Sequence, residues 1–220
     1  MIEMLASLEA PWQRVLQAPQ FQEAARGIIS PAPWRRSIKD FFCIVEAFPK
    51  YMGLSLARTT YGQYPRDMLA RDWLIGNIRV EALHVRWYID WAAAHGISEE
   101  EIVHHTPGPE VSALYEWLWS ISHRGSLAEA IGAVNYAIEG TTGAWCRLSL
   151  PALSAQLRGV PRALTWMSGH AKYDDAHPDE ALEIVKLTVT SKDEIKRVER
   201  AIRRSLDFYA KAFEANAALG

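Results

Sequence analysis

The sequence lacks the features that mark several common protein classes. Only two of its 220 residues are cysteines, Cys43 and Cys146, and both lie in apolar segments with helical periodicity. Such sparse cysteine suits a reducing cytoplasm and argues against a disulfide framework. The 24 basic and 26 acidic residues nearly balance, giving a formal net charge of -2, and the basic residues form no stripe between aromatic residues. Nucleic-acid binding is therefore not expected.

Long apolar runs and targeting signals are also missing. No apolar run approaches the roughly 18 residues that a membrane-spanning helix needs. The first residues, Met1–Leu5, include an acid where a signal peptide would be basic. We therefore expect a cytoplasmic protein without membrane contact. The sequence also contains no G-x-G-x-x-G, P-loop, G-x-S-x-G or C-x-x-C motif.

Helical patterns fill most of the chain, and strand signals are almost absent. Helix starts are marked by prolines and by Ser-x-x-Glu capping boxes, at Pro31, Pro65, Pro109 and Pro161 and at Ser98, Ser126 and Ser191. The nine tryptophans indicate a large packed interior, and no low-complexity linker divides the chain. The sequence therefore predicts an all-α fold, a single-domain bundle of about seven to nine helices spanning residues 1–220.

Three predicted helices bear on the function. The first, from Ser37 to Ala57, contains Pro49, which is expected to bend or break it. The second runs without interruption from Pro65 to about Ala94. The third opens at the Ser126 capping box and reaches Leu148 or beyond.

The stretch from Trp166 to His177 carries an unusual group of polar side chains. His170, Asp174 and His177 lie at i, i+4 and i+7, within roughly 60° of one another on a helical wheel. Buried, each would need a polar partner, whereas together they suit iron, manganese or zinc. Taken alone, a solvated helix face explains the pattern equally well. Because Pro178 follows, His177 is expected at or just beyond the helix end.

Two other predicted helices carry metal-capable residues. Glu81 and His84 form a Glu-x-x-His pair one turn apart, of the kind found in helical di-iron proteins. Apolar residues surround this pair on nearly all sides of the predicted helix, which favours burial: Leu74, Ile78, Val80, Leu83, Trp87 and Trp91. Glu139 is the only charged residue between Ala130 and Ala144. An unpaired buried carboxylate is costly, so Glu139 either faces water or meets a cation, and a metal is the simplest cation once two other helices carry metal-type residues. Three helices thus supply three carboxylates and three imidazoles, enough for two metals.

The order of these ligands resembles the heme-oxygenase-like di-iron oxidases and oxygenases, whose fold is similar to that of heme oxygenase, TenA and pyrroloquinoline-quinone synthase C. The spacing of Glu81 and His84 is most similar to the branch that includes the fatty-acid decarboxylase forming 1-undecene. In the branch of the chlamydial para-aminobenzoate synthase, the first histidine follows the glutamate by seven residues, where this chain has Tyr88.

The resemblance implies a ligand set and a reaction class. Iron 1 would be bound by Glu81, His84 and His170, and iron 2 by Glu139, Asp174 and His177, with Glu81 able to bridge. Two Fe(II) ions, the second loosely held, would use O2 as co-substrate to remove a hydrogen from an amino acid, amine or fatty acid. Desaturation, C–C cleavage, ring closure or N-oxygenation would follow, in natural-product biosynthesis. The resemblance leaves room for a homodimer and for an external reductant.

Side chains beside the ligands are candidates for lining the substrate space. Five such residues neighbour the ligands in the predicted helices: Asn77, Tyr88, Tyr136, Trp166 and Tyr173. Four cations are candidates for binding a substrate carboxylate, and nothing in the sequence ranks them: Lys39, Lys50, Arg58 and Arg147.

Other interpretations stay open. A cofactor-free enzyme similar to TenA or pyrroloquinoline-quinone synthase C would use the same fold, with Cys146 as the reactive group in the TenA type. It would not need six metal-type side chains. Heme oxygenase itself has its proximal histidine early in the chain, whereas the first histidine here is His84. A non-enzymatic helical interaction protein would leave Glu139 without a cation.

Overall fold

The computed structural model describes residues 1–61, 65–173 and 177–218, apart from the side chains of Pro65, Pro161, Tyr173 and His177. All regular structure in these residues is helical, which confirms the predicted all-α class. The α-helices are α1 (Ile2–Leu16), α2 (Pro19–Ala25), α3 (Pro31–Leu56), α4 (Pro65–Glu81), α5 (His84–Ala94), α6 (Glu99–Val103), α7 (Pro109–Arg124), α8 (Leu127–Ile131), α9 (Gly140–Gln156), α10 (Thr165–Tyr173), α11 (His177–Thr188) and α12 (Lys192–Ala218). A π-helical segment (Gly132–Glu139) joins α8 to α9, and a 3-10 turn (Pro161–Leu164) precedes α10.

The described helices outnumber the seven to nine predicted for two reasons. Some are only one or two turns long, such as α6 and α8 with five residues each. In addition, the helix predicted from Pro65 to Ala94 is divided into α4 and α5. None of the described helices combines the length and apolar character that crossing a membrane requires.

The predicted capping serines act as predicted. Each accepts a hydrogen bond from the backbone N–H of the glutamate three residues later, at Ser98, Ser126 and Ser191. At Ser126 the glutamate also accepts from the serine backbone N–H at 2.9 Å, which completes the box. Local sequence thus sets where α6, α8 and α12 begin.

Pro49 does not break its helix. The helix α3 continues from Pro31 to Leu56 through the proline, so of the two expected outcomes, a bend or a break, the break does not occur. Phe48, Tyr51 and Met52, on either side of Pro49, are all buried. Packing of these side chains in the core outweighs the one backbone hydrogen bond that proline removes.

The core is centred on aromatic rings contributed by five helices. Phe21 on α2 stacks on Trp145 of α9 with ring centroids 4.9 Å apart, and Trp91 of α5 stacks on Trp166 of α10 at 5.2 Å. Trp34 of α3 contacts both pairs, at 6.1 Å from Trp91 and 6.2 Å from Trp145. These rings hold α2, α3, α5, α9 and α10 around one interior space.

Gly140, at the start of α9, permits a close approach of two other helices. A Cβ atom at this position would lie 2.7 Å from Trp12 of α1 and 3.0 Å from Pro178 of α11. A side chain at Gly140, next to Glu139, would therefore push α1 and α11 away from the start of α9.

We predict that Gly140→Ala lowers the free energy of unfolding by about 1–3 kcal/mol because the added methyl group overpacks the contact. Gly53→Ala is the matched control, since a Cβ there meets nothing within 4 Å. It should stabilise α3 by about 0.5–1 kcal/mol. Urea unfolding of both variants measures the two changes. A stabilised Gly140→Ala protein would show that the close approach is not needed.

Candidate metal centre

The helix that carries the Glu-x-x-His pair is interrupted within the motif. Glu81 is the last residue of α4 and His84 the first of α5, so the prediction of one continuous helix is wrong. Between them the chain tightens, and the Leu83 N–H bonds to the carbonyl of Val80, three residues back, at 3.0 Å. The turn brings His84 Nδ1 to 2.8 Å from Glu81 Oε2.

This turn places polar side chains inside and apolar ones outside. Glu81 and His84 are 4% and 5% exposed, whereas Val80 and Leu83 are 43% and 54% exposed. The prediction that the apolar side chains surrounding the pair are buried is therefore wrong for Val80 and Leu83. An arrangement that buries a carboxylate and an imidazole while exposing two aliphatic side chains opposes the hydrophobic effect. It points to a function for the buried pair.

His170, on α10, comes from a distant part of the chain and is equally buried. Its Nδ1 lies 2.8 Å from the backbone carbonyl oxygen of Trp166, one turn earlier. A histidine that donates from Nδ1 to a carbonyl keeps a lone pair on Nε2, the arrangement that orients metal-binding histidines. Its ring lies 4.6 Å from the His84 ring and 4.1 Å from the Trp166 ring, measured between centroids.

Glu81, His84 and His170 together have the geometry of a ligand set. One ligand atom from each lies within 4.8 Å of those of the other two. Two ligands at about 2.1 Å from one ion lie about 3 Å apart when they form a right angle at the ion and about 4.2 Å apart when they are opposite. A group whose ligand atoms lie within 4.8 Å of one another is therefore close to the size that one metal needs. Two histidines and one carboxylate with open positions are the ligands of non-heme Fe(II) oxygenases.

Glu139 lies at the end of the π-helical segment and lines the same cavity. It is 3% exposed. Asn135 donates a hydrogen bond from Nδ2 to Glu139 Oε2 at 2.9 Å. Sequence reasoning missed Asn135, although an amide one turn before the only acid in an apolar run was a usable signal. It also missed the π-helix, which adds a residue per turn and redirects the side chains that follow.

The remaining predicted ligands fall at the edge of the described residues. Asp174 lies outside them, and so does the side chain of His177. The backbone places His177 at the first residue of α11, beyond the described end of α10 at Tyr173. Their role in a second iron site therefore stays a prediction.

A cavity adjoins Glu81, His84 and His170, and nine of its 19 described lining residues are phenylalanine, tyrosine or tryptophan. Its lining residues come from seven helices and the π-helical segment: Gln20, Trp34, Ser37, Phe41, Ile44, Val45, Phe48, Glu81, His84, Tyr88, Trp91, Ile138, Glu139, Thr142, Trp145, Trp166, His170, Tyr209 and Phe213. The centres of water-sized molecules can occupy about 50 Å³ within it, room for roughly three to five waters.

The predicted substrate residues divide into three groups. Tyr88 and Trp166 line the cavity, whereas Asn77 and Tyr136 are not among its lining residues. Asn77 instead bonds to the carbonyl of Trp73 at 3.0 Å. Tyr136 packs against Trp12 of α1, with ring centroids 5.4 Å apart. The side chain of Tyr173 lies outside the described residues.

Two buried tyrosines in the wall are held as neutral phenols. Burial raises the pKa of both Tyr88 and Tyr209. Tyr88 donates to the carbonyl of Ile38 at 3.0 Å, and Tyr209 contacts Thr142 at 2.8 Å through its hydroxyl oxygen. These phenols therefore shape the cavity and do not act as bases.

Cys146, the alternative reactive group, is fully buried. Its Sγ lies 3.6 Å from Met167 Sδ, and it is not among the described residues that line the cavity. The geometry thus offers no support for Cys146 as a nucleophile toward a molecule bound in the cavity.

We predict that Asn135→Ala lowers the free energy of unfolding by about 1.5–3 kcal/mol, the usual value for a hydrogen bond to a charged group. Asn77→Ala removes the same buried side chain but only a neutral hydrogen bond to a backbone carbonyl. The control should lose about 0.5–1.5 kcal/mol. Urea unfolding of metal-free protein compares the two. Equal losses would mean that Asn135 does not hold the Glu139 carboxylate.

Comparison with known proteins places this geometry in a family. A family model described as iron-containing redox enzyme matches residues 35–210. A TenA homologue from Pseudomonas syringae pv. tomato is 32% identical, with 98% of this chain and 91% of that chain covered and a TM-score of 0.93. A domain with a heme-oxygenase-like fold from Shewanella denitrificans is 18% identical, with 99% and 92% covered and a TM-score of 0.81.

A curated relative is also similar over most of its length. The 4-aminobenzoate synthase of Chlamydia muridarum is 21% identical over 91% of this chain and 85% of its own. That enzyme represents the branch in which the first histidine follows the glutamate by seven residues, where this chain has Tyr88. The sequence identity is too low to assign this chain to a branch. The closer likeness to the 1-undecene-forming branch therefore stays a prediction. The matched model and the solved relatives agree on the family, and the chain belongs to the iron-containing redox enzymes with a heme-oxygenase-like fold.

Proposed function

We propose that this protein is a non-heme di-iron oxidase or oxygenase that uses O2 to oxidise a small molecule. The observation that carries the proposal is the buried group of Glu81, His84 and His170 beside a cavity lined by aromatic side chains. A carboxylate buried in an apolar interior is costly unless a cation compensates it, and two imidazoles with it complete a site for Fe(II).

The second iron rests on the sequence pattern and on one described residue. Glu139 is buried in the wall of the same cavity and, with Asp174 and His177, would bind the second, more loosely held Fe(II). When bound, the iron supplies the reduction of O2 and the removal of a hydrogen from the substrate. Depending on substrate placement, that removal leads to desaturation, C–C cleavage, ring closure or N-oxygenation.

The described side chains have definite parts in this proposal. The carbonyl of Trp166 holds His170 with Nε2 directed away from its own helix turn, and Asn135 holds the Glu139 carboxylate. The aromatic wall excludes bulk water, so that a reactive oxidant meets the substrate and not solvent. The substrate is an amino acid, amine or fatty acid in natural-product biosynthesis, in the cytoplasm. A homodimer and an external reductant complete the proposal.

A second candidate is favoured by the likeness to the TenA homologue from Pseudomonas syringae. It is a cofactor-free enzyme with the same fold and no metal. Such an enzyme would gain nothing from burying Glu81, His84 and His170 against one another. The two candidates therefore differ in whether the purified protein binds iron at these residues.

We predict up to two irons per chain after anaerobic reconstitution with Fe(II), and O2 consumption that depends on them. His170→Ala should remove most of the bound iron because it deletes one of three ligands of the first site. Glu139→Ala should retain the first iron and lose the second. Colorimetric iron analysis and an oxygen electrode measure these outcomes.

The matched control for this experiment is His123→Ala, since His123 is exposed at the end of α7. It should bind as much iron as the parent protein. If His170→Ala retains parental iron, the assignment of the first site is wrong. If the parent protein binds no iron, the cofactor-free candidate is favoured.

A further inference from the structure

The cavity wall carries hydrogen-bond donors that have no partner among the described residues. Four buried side chains of the wall contribute one such nitrogen each: Gln20 Nε2, Trp34 Nε1, Trp91 Nε1 and Trp166 Nε1. They are between 1% and 4% exposed. Apart from the metal ligands, the oxygen atoms of the described wall side chains all take part in hydrogen bonds. Among these side chains the wall therefore has hydrogen-bond donors without a partner, but no side-chain acceptors without one, apart from the predicted metal ligands.

Gln20 is oriented by a chain of buried polar groups from three helices. Asn216 of α12 donates from Nδ2 to Ser37 Oγ at 3.4 Å, and Ser37 of α3 donates to Gln20 Oε1 at 3.3 Å. A serine hydroxyl can accept one hydrogen bond while it donates its single proton in another. Ser37 therefore accepts from Asn216 and donates to Gln20. The carbonyl end of Gln20 is thereby engaged, and its amide N–H groups are left to meet a ligand.

Trp34 lies in the same part of the wall. It precedes Ser37 by three residues on α3, which places the two on one face of that helix. Two further indoles separate Trp34 from the metal ligands. Ring centroids are 6.1 Å apart from Trp34 to Trp91, 5.2 Å from Trp91 to Trp166 and 4.1 Å from Trp166 to His170. Gln20 and Trp34 thus line the cavity from helices other than those that carry Glu81, His84 and His170.

The described residues of the cavity wall supply no lysine or arginine that could compensate an anionic group beside Gln20 and Trp34. Of the four cations suggested by the sequence, Lys39 pairs with Glu101, Lys50 pairs with Glu46, and Arg58 donates to the carbonyl of Gly125. The fourth, Arg147, is exposed and does not line the cavity. An anionic group beside Gln20 and Trp34 would therefore be buried without a counter-ion. A neutral oxygen can accept from the donors without that penalty.

We propose that Gln20 and Trp34 form a recognition subsite for a neutral hydrogen-bond acceptor, a carbonyl-type oxygen, on a compact and mainly apolar substrate. The inference deepens the proposed function, on which it rests. Among the proposed substrates it selects amino acids or amines that carry a neutral carbonyl group, such as an amide, and that present their other end to Glu81, His84 and His170. An unsubstituted alkyl end would leave both donors unsatisfied, and a carboxylate there would lack a cation. The small cavity volume sets the compact size.

The test compares acetophenone with α-methylstyrene, which has nearly the same shape but a methylene group in place of the carbonyl oxygen. Dissociation constants are measured by ligand-observed NMR on the metal-free full-length protein. Gln20→Met and Trp34→Phe each remove a donor and keep most of the side-chain volume. Each should lower the ratio of the α-methylstyrene constant to the acetophenone constant by about fivefold. The ratio cancels the different hydration of the two probes.

Ile138→Val is the control, since it alters an apolar part of the same wall. It should leave the ratio within about twofold, because a lost methylene affects both probes alike. Benzoate, of similar shape but charged, should bind metal-free protein at least about tenfold more weakly than acetophenone. Two donor variants are used so that misfolding of one does not end the test.

A ratio unchanged in the donor variants, or no binding of acetophenone to the parent protein, would overturn the subsite. Benzoate binding as tightly as acetophenone would refute the proposal that the subsite selects a neutral acceptor over a carboxylate. Because these measurements need no iron, their failure leaves the metal proposal standing. Conversely, a parent protein that binds acetophenone as expected but takes up no Fe(II) would retain the subsite and refute the proposed reaction.

Discussion

The structure depends on how an apolar interior accommodates buried charge. Glu81 and Glu139 lie among aromatic rings with almost no access to solvent. Moving a carboxylate into such surroundings costs several kcal/mol unless a cation or strong hydrogen bonds compensate it. The histidines beside Glu81 and the amide beside Glu139 compensate part of this cost. Binding of a divalent cation would compensate the rest, and it would stabilise the folded protein through linkage.

Irregular helices are the means by which the fold places these charges. Between α4 and α5 the chain leaves the regular helix. With this irregular turn, Glu81 and His84 are buried while Val80 and Leu83 are exposed. The π-helical segment has a comparable effect at Glu139. Both irregularities occur at a residue predicted to bind metal, and π-helical segments and irregular helix turns are frequent at functional sites. Close packing at Gly140 then holds the neighbouring helices against this segment.

Much of the fold follows from local sequence, and the site follows only in part. Capping serines and helix-starting prolines act locally, so helix starts such as that of α8 at Ser126 were predictable. That Glu81, His84 and His170 lie together was also predictable, because metal-type residues in apolar surroundings carry a chemical signal; their binding of metal stays a prediction. The break after Glu81 and the π-helix were missed, since a helical wheel assumes a regular period. The hydrogen-bond donors in the cavity wall were missed because Gln20 is distant in sequence from every predicted metal ligand. Only tertiary packing brings it to the cavity wall.

The central claim is that Glu81, His84 and His170 bind iron together. Crystals of the protein loaded anaerobically with Fe(II), measured on both sides of the iron absorption edge, test this most directly. The account predicts an anomalous difference peak within coordination distance of one atom from each of the three side chains, with any second peak beside Glu139. Iron taken up with its peak elsewhere, or no peak at these residues in crystals of iron-loaded protein, would contradict it.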